Sequence, residues 1–209
     1  MKKIAFALVA FLTAALSTGA AEISEQTKSV LTSIEKANES ITTISSAVTE
    51  LRTMPNGKQF VSKGVFNFSA PNLLSIHYSD PEGDYLVINA EQVAQKKKHG
   101  RSFKVSLKRN DTVRALSSTL LLGLRGKLIS LAEENEATVT VSEAGGVLNV
   151  IFKAEIKKGR DYKQIELSYD KATMQIQSMS LTDKNNVVTK YTLEKSQYGI
   201  EIDPALFEI

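Results

Sequence analysis

The sequence predicts an α+β fold that is mostly β: one strongly curved antiparallel sheet with two or so helices. Three observations lead there. Short segments with alternating apolar residues recur between turn signals from residue 44 onward. Two other segments repeat their apolar residues at three- and four-residue spacing, as helices do. No linker, low-complexity tract or internal repeat divides the 209 residues, so a single domain with one sizeable core is expected.

The elements follow in order. Residues 1–21 combine Lys2 and Lys3 with an apolar run from Ile4 to Leu16 and then small residues, the layout of a secretory signal peptide cleaved after Ala20 or Ala21. The run is too short to span a bilayer, and no second long apolar run follows, so residues 22–209 are expected to be one exported, soluble domain. Val30, Leu31, Ile34, Ala37 and Ile41 predict a helix over residues 23–40 with one apolar stripe. A strand begins near Ile44, turns at Pro55-Asn-Gly57, and returns through residues 60–68. Further strands are predicted over residues 73–79, 85–89, 92–96 and 103–108.

Asp111 is placed to cap a second helix that carries Val113, Leu116, Leu120, Leu121 and Leu124 on one side. The acidic cluster Glu133, Glu134 and Glu136 then reads as a solvated loop. Strands resume around Val139 and Val141, Leu148 to Phe152, and Ile165 to Tyr169, with turns at Gly145-Gly146 and Gly159-Arg-Asp161. Two last strands are predicted over residues 174–181 and 187–193. In the first, Met174 and Ile176 share a parity that Met179 and Leu181 do not, which predicts a bulge near Gln177.

Composition excludes several functions. There is no cysteine, which removes disulfides, thiolate metal sites, cysteine nucleophiles and the acceptor for an N-terminal lipid. Without Lys2 and Lys3, 24 basic residues face 23 acidic ones, and a net charge of +1 argues against a nucleic-acid partner. The two histidines, His77 and His99, lie in no metal-ligand spacing and beside no nucleophile motif. Ser33-Ile-Glu-Lys36 and Ser168-Tyr-Asp-Lys171 match the S-x-x-K pattern of serine acyl enzymes but lack its companion motifs. The basic turn Lys96 to Arg101 reads as a solvated hairpin tip. No catalytic residue, metal ligand or cofactor is therefore assigned.

The stretch from Gly64 to Pro81 is the most informative. Phe66 and Phe68 share one strand face, and Leu74, Ile76 and Tyr78 share one on the next. If the two strands pair, these five side chains form a continuous apolar patch, with Ser75 and His77 on the opposite, outer face; His77 is expected to face solvent there.

The segments Gly64-Val-Phe-Asn-Phe68, Pro71-Asn-Leu-Leu74, Tyr78-Ser-Asp-Pro81 and Tyr85-Leu-Val-Ile-Asn89 resemble the strands of the LolA family of periplasmic outer-membrane lipoprotein carriers. Residues 199–207 are similar to that family's closing strand. The resemblance implies an unclosed antiparallel β-barrel, a half-barrel, with a few helices over its mouth. Its concave face would shelter the acyl chains of lipoproteins received from an inner-membrane lipoprotein-releasing ABC transporter and delivered, by a monomeric carrier, to an outer-membrane acceptor the sequence does not specify. Phe66, Phe68, Leu74, Ile76, Tyr78, Leu116, Leu120 and Leu124 would line that cavity. Family members often carry an Arg before the turn proline that latches the helical lid, whereas this chain has Ala70, so the lid is expected to be held by apolar contact. A lipid- or lipoprotein-sensing module of the same fold, signalling through a protein partner, is the alternative.

Overall fold

The computed structural model describes residues 23–98, 102–156 and 162–209. The expected signal peptide, the part of the basic turn from His99 to Arg101 and the turn at Gly159-Arg-Asp161 lie outside the described residues.

Helix α1 (Glu25–Asn38) starts where Ser24 accepts a hydrogen bond from the Thr27 amide, with Glu25 in the first turn and Lys36 in the last, matching the helix dipole. Leu31 and Ile34 of its apolar stripe are fully buried. At its end the Asn38 amide donates to the carbonyls of Ile34 and Met174, both at 2.8 Å, and so joins the helix to a distant turn.

Strands β1 (Thr43–Thr53) and β2 (Gln59–Ser69) form a long hairpin, followed by β3 (Leu73–Asp80), β4 (Glu82–Ile88), β5 (Gln92–Lys96) and β6 (Phe103–Ser106). Helices α2 (Asp111–Leu124) and α3 (Leu128–Asn135) come next. Strands β7 (Thr138–Ala144), β8 (Val147–Lys153), β9 (Tyr162–Asp170), β10 (Ile176–Asp183) and β11 (Val188–Tyr198) complete the sheet.

All eleven described strands lie in one antiparallel sheet in the order β6-β5-β4-β3-β2-β1-β11-β10-β9-β8-β7. The pairing of β1 with β11 brings together residues 135 to 154 apart, from Thr53 with Val188 to Ile44 with Tyr198. The edges β6 and β7 do not pair, so the sheet curves without closing. Helices α2 and α3 are the connection between those edges. Among the described residues no helix is long and apolar enough to cross a membrane.

The α2–α3 turn rests on α1 because Gly126 lies there. Its φ of +65° suits glycine, and a Cβ would stand 3.1 Å from the Ile34 carbonyl oxygen. Lys127 also ion-pairs with Glu35 of α1. Gly64 has a different constraint: it faces Tyr78 at a register shift between β2 and β3, where a Cβ would overlap the His77 carbonyl. Gly64→Ala should therefore lower stability by about 1–3 kcal/mol in thermal unfolding, because the strands must separate to admit the methyl group.

Several expectations change. Glu133 and Glu134, expected in a solvated loop, belong instead to the last turns of helix α3, whose short apolar set Leu128, Leu131 and Ala132 is buried. The bulge at Gln177 is present as a register break between Ile176 and Ser178. Met174, however, stands in the preceding turn with φ of 58° instead of in the strand. Strand β11 runs on to Tyr198, and residues 204–207, expected within a closing strand, form a 3-10 turn capped by Asp203.

That turn packs on the outer face of β3. The His77 Nε2 lies 3.0 Å from the Leu206 carbonyl, and the Asn89 amide reaches the Phe207 carbonyl at 3.5 Å. His77 is consequently half-buried instead of facing solvent. The cross-strand row Asn67, Ser75, Val87 and Ala94 on the same face is buried as well.

Candidate functional site

Strand parity places Phe66, Phe68, Leu74, Ile76 and Tyr78 on the concave face. Phe66 stands opposite Ile76 and Phe68 opposite Leu74, and all five are buried. Leu120 and Leu124 of α2 are buried in the same core, while Leu116, one turn nearer the start of the helix, is half-buried. The Tyr169 hydroxyl donates to the Gly123 carbonyl at 2.8 Å and fixes α2 to β9.

Beside α2 the concave face opens into a cleft of about 230 Å3. Leu116 and Leu120 form part of its wall, with Leu86 and Phe103 from the β4–β6 side and Leu181, Val187 and Tyr191 from the β10–β11 side. Phe66, Phe68, Leu74, Ile76 and Leu124 belong to the packed interior behind it.

The cleft has a charged margin. Glu50 and Arg52 continue the inward parity of Ile44 and Val48 along β1. The Glu50 carboxylate is buried, accepts a hydrogen bond from the Tyr78 hydroxyl and pairs with Lys97 Nζ at 2.8 Å. The same ammonium lies 3.8 Å from the centroid of the Tyr78 ring, so its charge is met by a carboxylate and a π face together. Burial, followed by the neighbouring Tyr191 and the charge of Glu50, pushes the Tyr78 hydroxyl far above its ordinary range. It stays protonated and can donate to Glu50. Burial and Glu50 likewise raise the Tyr191 hydroxyl, and Arg52 opposes them.

Sequence reasoning missed Glu50, Arg52 and Lys97. The signal was present for the first two, since charged residues at positions 50 and 52 extend an apolar inward parity. Lys97 had none, because it meets Glu50 only after the five strands β1 to β5 have paired in order.

The two S-x-x-K matches carry no nucleophile arrangement. The Ser33 hydroxyl donates to the Ser29 carbonyl, the Ser168 hydroxyl donates to Asn149, and Lys171 pairs with Glu143. Among the described residues no group of three or more His, Asp or Glu side chains is arranged to hold a metal ion. The arrangement is suited to holding a molecule that is largely apolar with a polar end.

Several solved structures are similar to this chain at low identity. A putative outer membrane lipoprotein-sorting protein domain from Vibrio parahaemolyticus is similar at 10% identity, over 85% of this chain and 94% of that one, with a TM-score of 0.47. A LolA superfamily protein from Nitrosomonas europaea shares 6% identity over 87% and 97% of the two chains, with a TM-score of 0.43. A chain of the Pseudomonas aeruginosa MucA/MucB complex shares 10% identity over 86% of this chain and 59% of that one, with a TM-score of 0.42. No match is found among curated proteins. Residues 39–209, from the end of α1 through all eleven strands to the last residue, match the model of the outer membrane lipoprotein carrier protein LolA, and the chain belongs to that family.

Proposed function

We propose that this protein is a periplasmic carrier that shelters lipoprotein acyl chains on its concave face and moves them from the inner to the outer membrane without covalent chemistry. The observation that carries the reading is the cleft between α2 and the sheet, walled by Leu116 and Leu120, in a chain of the LolA family. Acyl burial contributes about 0.8 kcal/mol per methylene, so a multiply acylated anchor needs an apolar shelter to cross water. The donor in this reading is an inner-membrane lipoprotein-releasing ABC transporter.

The cleft of about 230 Å3 lies below the roughly 300–1,000 Å3 of ordinary ligand pockets, so larger cargo enters only as α2 and α3 lift from the sheet. Leu116, Leu120 and Leu124 then leave the barrel wall, at about 1.5–3 kcal/mol for each side chain fully exposed. Phe66, Phe68, Leu74, Ile76 and Tyr78 become the floor that acyl chains reach. No Arg stands at position 70 to latch this lid, and the half-buried Ala70 contributes only apolar contact.

The test is retention of a fluorescently labelled, acylated lipopeptide by the purified protein. Leu116→Asp replaces part of the apolar wall by a hydrated carboxylate and should weaken retention by tenfold or more, on the order of 2 kcal/mol, with little change in unfolding because the residue is half-buried. Equal retention by Leu116→Asp and the unmodified protein would remove α2 from the binding wall. Retention without transfer to acceptor liposomes would instead favour a sensing module that reports to a protein partner.

A further inference from the structure

The margin of the cleft holds a cation, Arg52, that makes no ion pair among the described residues. Arg52 stands between Phe60 of β2 and Thr189 of β11, and it lines both the cleft beside α2 and a second one of about 280 Å3 that opens toward Phe60 and Pro81. Its guanidinium makes no hydrogen bond or ion pair among the described residues. A guanidinium offers five donors in a planar fork and accepts nothing, so it is satisfied by acceptors alone: an anion, a carbonyl, a hydroxyl or water.

The carboxylates around both clefts are committed elsewhere. Glu50 is held by Tyr78 and Lys97. Asp183 accepts the amides of Asn185 and Val187, both at 2.8 Å. Asp84 accepts the Lys98 amide through both oxygens, at 2.8 and 3.0 Å. Lys97 therefore has a carboxylate partner in Glu50, and Arg52 has none among the described residues. Burial and Glu50 hold the Tyr191 hydroxyl well above its ordinary range, and Arg52 only opposes them. Across from it stand Leu86, Phe103, Leu116 and Leu120.

We infer that the cleft binds a single acyl chain by its anionic end, with a carboxylate or phosphate on Arg52 and the chain laid along Leu86, Phe103, Leu116 and Leu120. This rests on the acyl-sheltering reading above and goes beyond it by giving the cleft a second class of ligand, a free single-chain lipid with an anionic end. A fatty acid or a one-chain phospholipid has such an end, whereas the amide- and ester-linked chains of a lipoprotein anchor do not. The volume is consistent with one chain entering while α2 stays in place. A charge-assisted, bidentate contact in a cleft partly screened from water is stronger than a neutral one.

The experiment is a fluorescence titration of the purified protein with cis-parinaric acid and, separately, with its methyl ester. The acid should bind about tenfold more tightly than the ester, the increment of a hydrogen bond to a charged group. Arg52→Gln should abolish the preference for the acid, so that acid and ester bind this variant equally. Displacement of the acid by oleate but not by lysophosphatidylglycerol assigns the site to carboxylates, and the reverse assigns it to phosphates.

Equal affinity for acid and ester overturns the anion site and leaves acyl sheltering intact, as does an unchanged acid preference in Arg52→Gln. Binding of neither probe overturns both readings. The acid-against-ester comparison uses the unmodified protein, so the inference remains testable even where Arg52→Gln misfolds.

Discussion

Replacing Glu50 by Leu is expected to destabilise the protein by about 3–5 kcal/mol, read from denaturant unfolding followed by far-ultraviolet circular dichroism. The Glu50 and Lys97 side chains are only 7% and 14% exposed, and the pair is completed by the Tyr78 hydroxyl and ring. Removing the carboxylate leaves the ammonium half-solvated and a buried phenol without its acceptor. Each loss carries a desolvation cost that no new contact offsets. The long stem of Lys97 allows its head to swing outward, which favours the lower end of the range. Glu50→Leu combined with Lys97→Met should recover most of the loss, because an apolar pair of similar volume has no uncompensated charge. A change under about 0.5 kcal/mol in the single variant, the size typical of surface substitutions, would show that water already reaches the pair.

Phe68→Ala and Leu116→Ala should separate floor from wall. Phe68 is fully buried opposite Leu74, so its truncation should cost about 3–5 kcal/mol of stability, with the cavity it leaves adding to the lost transfer energy. Leu116 is half-buried at the cleft, where part of its surface already meets solvent. Its truncation should cost about 1 kcal/mol or less and should act instead on retention of an acylated probe. Thermal unfolding and probe retention on the same preparations decide the matter. A large stability loss in Leu116→Ala with unchanged retention would make the α2 face ordinary core.

Much of the fold was legible because its strongest signals are local. A two-residue period is set by the pleat, so Phe66, Phe68, Leu74, Ile76 and Tyr78 had to share a face once β2 and β3 paired. The stripe on α2 follows in the same way from the helical repeat, and a parity break alone located the bulge at Gln177. Helix α3 was not legible: eight residues carry too few apolar positions to display a period, and packing against α1 and α2 holds them helical.

The sequence by itself determined which side chains face inward on each strand, where the helices carry their apolar stripes, and that no thiol chemistry is available. Tertiary structure alone decided three things that bear on function. It paired β1 with β11, leaving β6 and β7 as free edges and the sheet open; this depends on closing a very long loop, and no local pattern encodes it. It laid the 3-10 turn Pro204–Phe207 over the outer face, burying Ser75 and half-burying His77 where parity alone predicts solvent. It also brought Lys97 to Glu50 from 47 residues away while leaving Arg52 with no ion pair among the described residues. Parity says which way a side chain points, but only the pairing of distant strands decides what it meets there.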